Sequence, residues 1–217
     1  EALARLALDT FRHLDIWVNN AGSGASYGPT LAVPPERFEQ VLRTNIFGVY
    51  HGSRTAMSIF VAQKSGKLIN LVGRGEKKPV PLQNAYASSK TWVRAFTQTL
   101  AKEYRDSGVG VFCFNPGLVI TDMLTHMEAI EGYAEKARPL ETVMRLWAQP
   151  PDIPAERALW LASSATDGKT GLEVNVLDTG LVVRGLLRDV WGRVTGNTRE
   201  MEKLNIRQVP SAVPAKK

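Results

Sequence analysis

Leu14-Asp15-Ile16-Trp17-Val18-Asn19-Asn20-Ala21-Gly22 is the stretch that decides the fold. An apolar run from Leu14 to Val18 stops at two asparagines, an alanine and a glycine. A short apolar run ended by turn formers reads as a strand buried on both faces. Such strands belong to parallel sheets covered by helices. The flanks agree. Upstream, Leu3, Leu6, Ala7 and Phe11 recur at helical spacing between Glu1 and His13. Downstream, Gly22 to Pro35 is rich in Gly, Ser and Pro and reads as a loop. Pro34-Pro35 then opens one long helix to Ala62, carrying Phe38, Val41, Leu42, Asn45, Val49 and Ala56. Proline suits that start because its fixed φ and missing N–H fit a first helical turn.

The same beat repeats along the chain. Lys67 to Val72 is a second strand, introduced by Ser65-Gly66 and followed by a polar loop, Gly73 to Pro81. A helix then runs to about Tyr104 with Trp92, Ala95, Phe96, Leu100 and Ala101 on one side. Val109 to Phe114 is a third strand, ended by Asn115-Pro116-Gly117. Leu118 to Pro151 reads as a long irregular or helical excursion, Ala155 to Ala165 as a helix, and Leu172 to Leu177 as a fourth strand. Alternating strand and helix predict an α/β fold, a parallel sheet with helices on both faces. Ligands of such sheets sit beyond the carboxyl ends of the strands. The residues that break the apolar pattern fall at those ends: Asn19 to Gly22, Gly73, and Asn115 to Gly117.

Composition narrows the class. The chain has 217 residues, 44% hydrophobic and 22% charged, which suits one domain with a sizeable core. No apolar run reaches the ~18 residues of a membrane helix, and no secretory signal is visible. Cys113 is the only cysteine, so no internal disulfide can form and a reducing, cytoplasmic compartment fits. His13, His51 and His126 are scattered and predict neither a triad nor a metal site. The net charge is +6, and Leu181 to Lys217 carries eight Lys/Arg against three Asp/Glu, hence +5. A basic tail suits an acidic partner, a membrane surface or nucleic acid. No aromatic platform or nucleic-acid motif accompanies it, so nucleic acid is not expected. The amphipathic run Leu181 to Trp191 reads as packing on a second subunit in preference to a membrane surface. Val209 to Lys217, with two prolines and two lysines, reads as mobile.

The chemistry centres on Asn84-Ala85-Tyr86-Ala87-Ser88-Ser89-Lys90. Tyr86 and Lys90 are four residues apart, about one helical turn, and share a face. A free tyrosine titrates near ~10 and is a poor base at neutral pH. A neighbouring ammonium favours the phenolate, so the pair is a candidate general acid/base for a hydroxyl proton. Alone, such a pair is more often plain helix surface. Asn45 is likewise most often a satisfied buried amide, and the Asn-Gly and Pro-Gly clusters are turn formers. Gathered at one rim, they favour a site.

Together these residues resemble the short-chain dehydrogenase/reductases. The matching segments are Asn19-Asn20-Ala21-Gly22, Thr44-Asn45-Ile46-Phe47-Gly48, Tyr86-Ala87-Ser88-Ser89-Lys90 and Asn115-Pro116-Gly117-Leu118-Val119-Ile120-Thr121. Pro151 to Gly180 is similar to the family's last helix and strand. The resemblance implies a Rossmann-type doubly wound parallel sheet, NAD or NADP as cofactor, a small-molecule alcohol or carbonyl substrate, and a homo-oligomer. It implies residues 1–180 as the C-terminal part of that domain, a substrate loop at about 118–151, and 181–217 as a basic extension. It casts Tyr86 as the proton exchanger at the substrate oxygen. Lys90 holds the nicotinamide ribose and lowers the tyrosine pKa, and Asn45 holds a water linking the lysine to solvent. Asn19, Ala21 and Gly22 line the adenosine side; Pro116, Gly117 and Thr121 wall the nicotinamide, with Thr121 as a hydrogen-bonding partner.

Two departures stand out. The family's glycine-rich turn, and the strands and helices around it, are not among these 217 residues. The first strand is therefore expected to be a sheet edge. The family's catalytic serine stands thirteen residues before the tyrosine, where this chain has Gly73. Losing such a donor typically costs about 10²–10³ in rate. Weak or unusual activity follows, with Arg74 or a water as the stand-ins, and a non-catalytic binding or scaffold protein is the rival reading. The loop residues Met123, Leu124, Met127, Ile130, Leu140, Val143, Met144, Leu146 and Trp147 suit either a lid over a bulky apolar substrate or an ordinary packed helical pair.

Overall fold

The computed structural model describes residues 1–201 and 203–213. Residues 214–217, the end of the stretch expected to be mobile, lie outside the described residues. The expected sheet is there. Strands β1 (Ile16–Asn19), β2 (Lys67–Leu71), β3 (Gly110–Asn115) and β5 (Glu173–Asn175) lie in the order β1-β2-β3-β5, every pair parallel. Their registers are even: Asn19 faces Asn70, Leu71 faces Phe114, and Asn115 faces Asn175. The carboxyl ends therefore finish together and form one rim.

The strands alternate their apolar residues between two helical layers, which is why they read as continuous hydrophobic runs. Leu68 and Val111 face α1 (Ala2–Phe11), α3 (Gly48–Gln63) and α4 (Asn84–Glu103), packing with Leu8, Ala56, Met57, Phe60 and Ala101. Val72, Val93 and Cys113 extend that layer towards the rim. Ile69, Phe112 and Phe114 face the other way, onto Ala158, Leu161 and Ala162 of α8 (Asp152–Ala162). Helices thus cover both faces of the inner strands, and β1 is an edge of the sheet, as expected; with Val18 exposed at that edge, β1 is not the strand buried on both faces that its apolar run suggested.

Two expectations need correcting. The long helix after Pro34 is continuous but not uniform. α2 (Pro35–Val41) passes through a π-helical turn, Leu42–Phe47, before becoming α3. The turn contains Asn45, which is fully buried. Second, the excursion from Leu118 to Pro151 is not only helical or irregular. Between α5 (Asp122–Thr125) and α6 (Ala134–Ala137) it contains β4 (His126–Ile130). That strand pairs in parallel with β6 (Asn205–Val209), far away in the sequence. Nothing local marks β4 as a strand, because its ladder comes from the tail.

The tail folds back over the rest. α9 (Thr179–Thr195) lies on α7 (Pro139–Trp147): Trp147 Nε1 donates to the Val182 carbonyl at 3.2 Å, and Arg188 donates to Leu146 O at 2.7 Å. Arg145 pairs with Asp189. Leu204 and Ile206 then join Leu124, Met127, Leu140 and Met144 in one apolar cluster.

Candidate active site

The rim is held by a ladder of side-chain amides and hydroxyls. Asn19 turns inward from the end of β1. Its Oδ1 accepts from Trp17 Nε1 at 2.8 Å, and its Nδ2 donates to Ser53 Oγ at 3.0 Å and Asn70 Oδ1 at 2.7 Å. Asn70 donates on to Thr97 Oγ1 at 2.9 Å. The Asn19 side chain therefore ties strands to helices and only its backbone reaches the rim. Ala21 is exposed at the β1 edge.

Asn45 works one layer higher. Its Oδ1 accepts the Ser23 N–H at 2.8 Å, and its Nδ2 donates to the Ser23 carbonyl at 3.0 Å and to Ser89 Oγ at 2.9 Å. One buried amide thus clamps the loop after β1 to α4. Both N–H groups go to protein partners, and the oxygen keeps one lone pair. The side chain has no N–H left to donate to the water expected from the resemblance, only that one acceptor position.

That clamp brings the loop across Lys90. A Cβ placed on Gly22 would fall 3.6 Å from Asn45 Oδ1 and 3.7 Å from Lys90 Nζ. Lys90 is buried, donates to Leu71 O at 3.0 Å, and has its ammonium 5.6 Å from the centre of the Tyr86 ring. Tyr86 reaches the end of β2. A Cβ on Gly73 would fall 2.7 Å from the Tyr86 hydroxyl oxygen and 3.8 Å from Lys90 Cε. The structure therefore gathers Gly22, Asn45, Gly73, Tyr86 and Lys90 around one point, with the phenol hydroxyl against the bare α-carbon of Gly73. Among the described residues that hydroxyl has no hydrogen-bond partner, and Arg74 is exposed.

The third strand end supplies a wall. Gly117 has φ +75°, a left-handed backbone that favours glycine, and its N–H is held by Asn115 Oδ1 at 3.0 Å. Pro116 is partly buried beside it. Thr121 stands further out. It is exposed at the start of α5, its hydroxyl 3.4 Å from the Val119 carbonyl.

One residue of the site escaped the sequence reading. Glu76 is buried within the loop after β2, with its N–H on the Gly73 carbonyl at 3.1 Å. Glu76 and Lys90 are the acidic and basic members of the buried set among the described residues. Two buried side-chain oxygens there lack any partner, Ser23 Oγ and Glu76 Oε2, and both belong to rim loops. Buried polar atoms are nearly always bonded, so both oxygens are open to a further partner. The available signal was a single acid in Gly73-Arg74-Gly75-Glu76-Lys77-Lys78, a loop otherwise basic.

Burial, with Glu76 adding to it, acts against an expectation. The Tyr86 phenol is pushed up from its ordinary value, not down, first by burial and then by the negative charge of Glu76. Lys90 is itself pushed down to about 8 by burial, against the opposing pull of Glu76. The ammonium sits over the ring and bonds to a carbonyl, so it does not make up for the phenolate's lost solvation.

A parallel sheet covered on both faces, with asparagines, glycines and a Tyr–Lys pair at its carboxyl rim, defines the Rossmann class of dinucleotide-binding α/β enzymes. Residues 1–131 match the model of the short chain dehydrogenase family, and the chain belongs to that family. It is 34% identical over 194 residues to a diacetyl reductase [(S)-acetoin forming] of Staphylococcus epidermidis, covering 85% of this chain and 74% of that one. It is 33% identical to 3beta-hydroxysteroid dehydrogenase 1 of Eggerthella lenta, covering 84% and 69%. The crystal structure of a 3-ketoacyl-(acyl-carrier-protein) reductase from Brucella melitensis complexed with NADH superposes with a TM-score of 0.71 at 27% identity, covering 83% and 72%. Among the described residues no helix is long and apolar enough to cross a membrane, and no cluster of His, Cys, Asp or Glu could hold a metal ion.

Proposed function

We propose that this chain is part of an NAD- or NADP-dependent oxidoreductase in which Tyr86 exchanges the proton at the oxygen of an alcohol or carbonyl substrate. The carrying observation is the Tyr86 hydroxyl, unpartnered among the described residues, at the rim, one helical turn from buried Lys90. When bound, the dinucleotide supplies or accepts the hydride. The residues present fit its nicotinamide end, because Gly22 and Gly73 place no side chain over Lys90 or Tyr86. Lys90 and the backbone of Asn19 to Gly22 would hold its ribose side, and Pro116, Gly117 and Thr121 would wall the ring.

In the reducing direction Tyr86 gives its proton to the substrate oxygen; in the oxidising direction the phenolate takes it. Lys90 holds positive charge beside the ring below about pH 8 and steadies the developing phenolate. Asn45 positions the loop carrying Gly22 against Lys90. Gly73 offers no second donor to the substrate oxygen, which favours slow turnover. A relative named for a hydroxysteroid supports an apolar substrate. Exposed Phe47, the last residue of the π turn, and Tyr50 of α3 are the surface proposed for self-association.

The test uses the full-length protein. NADH and NADPH are titrated while nicotinamide fluorescence is followed, and turnover is compared between wild type and Tyr86→Phe. Turnover is expected to fall by about 10²–10⁴ with dinucleotide affinity retained. Undiminished turnover in the phenylalanine variant would remove Tyr86 from the proton path.

A further inference from the structure

The face of α9 turned away from the molecule is apolar along its length. Val183, Leu186, Leu187, Val190, Trp191 and Val194 are between 47 and 76% exposed. They recur three and four residues apart, so they form one continuous stripe. The opposite face is the one that packs. Gly185 and Gly192 are buried, and a Cβ on Gly185 would fall 2.5 Å from the Leu146 carbonyl of α7. The stripe is therefore not the seam between tail and body. Contiguous apolar surface of this kind marks an interaction site.

Its flanks say what it meets. At 3.6 residues per turn, Arg184 and Arg188 border one side of the stripe and Arg193 borders the other; Arg184 is exposed, Arg193 is largely exposed beside Asp189, and Arg188 is tied to α7 by its bond to the Leu146 carbonyl. The helix has a single acid, Asp189, which is turned inward between Arg145 and Arg193. A second copy is poorly suited. Laying the stripe of one helix along that of another would set arginine flanks against arginine flanks, with no exposed acid on either helix to answer them. Nor would chain added at the open β1 edge cover it, because α9 departs from β5, the opposite edge of the sheet. An apolar stripe with a tryptophan, bordered on both sides by arginines, matches the headgroup boundary of an anionic bilayer.

We propose that α9 is an interfacial helix that seats the protein on an anionic lipid surface, its stripe in the acyl boundary and Arg184 and Arg193, on its two flanks, among the phosphates. The helix lies flat and does not span. Because α9 rests on α7, seating would bring the substrate loop beside the bilayer. The docking depends on no catalytic assignment, so the activity measurements above can fail while it stands.

The experiment is vesicle flotation of the full-length protein with phosphatidylcholine alone and with mixed phosphatidylcholine–phosphatidylglycerol, at low and high salt. Wild type is expected to float with the mixed vesicles, with a blue shift in tryptophan emission and weaker binding in high salt. Leu187→Asp combined with Trp191→Asp should lower partitioning at least about tenfold, since each buries a large apolar side chain. Arg184→Gln should lower it about fivefold, from roughly 1 kcal/mol per basic residue near the surface. All three side chains are exposed, and circular dichroism checks that the variants fold. Failure of wild type to float with either vesicle overturns the proposal, as does equal flotation of the variants. A dimer of the wild type that becomes monomeric in the double variant, without vesicle binding, would assign the stripe to a second copy and overturn it too.

Discussion

Glu76 is where the pH behaviour of the site turns. Its charge raises the proton affinity of both Tyr86 and Lys90. Glu76→Gln removes that charge, so both groups release protons more readily. Oxidation needs the phenolate, so its acid limb should move to lower pH; reduction needs the phenol, so its alkaline limb should move the same way. Profiles of kcat/KM in both directions check this, and a shift to higher pH would contradict the placement of Glu76. Gly73 carries the second residue-level expectation. Gly73→Ser would add the missing donor, and its Cβ would push the Tyr86 hydroxyl aside from 2.7 Å. The hydroxyl is the far end of a side chain and can give way. Turnover should therefore rise, by less than the about 10²–10³ such a donor commands. Steady-state kinetics with one substrate measure it. The spacing of Tyr86 and Lys90 was legible in the sequence because helical geometry is local. Glu76 was not, because its weight comes from burial, which depends on how the loop folds against α4.

At the scale of elements, the π turn at Leu42–Phe47 is the informative departure from regularity. Such turns insert an extra residue into a helix and are frequent at functional sites. Here the turn holds Asn45, whose amide clamps Ser23 to Ser89. Asn45→Ala would leave the Ser23 N–H and carbonyl and the Ser89 hydroxyl without their shared partner in a buried setting. A loss of about 2–3 kcal/mol in urea unfolding is expected, with dinucleotide affinity falling as well. A loss under about 0.5 kcal/mol would mean that water replaces the amide. The helix itself was legible from Pro34-Pro35 and its apolar spacing. The irregularity was not, because an asparagine among helix formers does not announce which way the backbone yields. The strands of the main sheet were legible for the opposite reason: each is an apolar run ended by turn formers. β4 has no such mark, since half of its ladder is supplied by β6.

For the molecule as a whole, the decisive arrangement is the return of the tail onto the substrate loop. Glu128 of β4 accepts from Arg37, Arg207 and Ser26, so one carboxylate joins the long helix, the tail and the loop after β1. Those partners, Arg207 foremost among the pairings, hold its carboxyl below the ordinary range against the opposing effect of burial. Met127 and Met144, two of the methionines that suggested a lid, are packed with Leu204 and Ile206, while Met123 is exposed. Ile206→Asp should therefore unzip β6 without touching the main sheet. Hydrogen exchange should show lost protection at residues 126–130 and unchanged protection in β2 and β3, with KM rising for apolar substrates. Equal loss in both regions would mean that the two sheets unfold as one unit.

The pairing of β4 with β6 also sets an order of assembly. Glu128 and Arg207 are 79 residues apart in the chain, and contacts of such long separation form late. During synthesis the sheet from β1 to β5 can be complete while the roof over its rim is still missing its last plank. A nascent chain therefore presents an open, half-built cleft until β6 leaves the ribosome, and a chaperone has that interval in which to shield it.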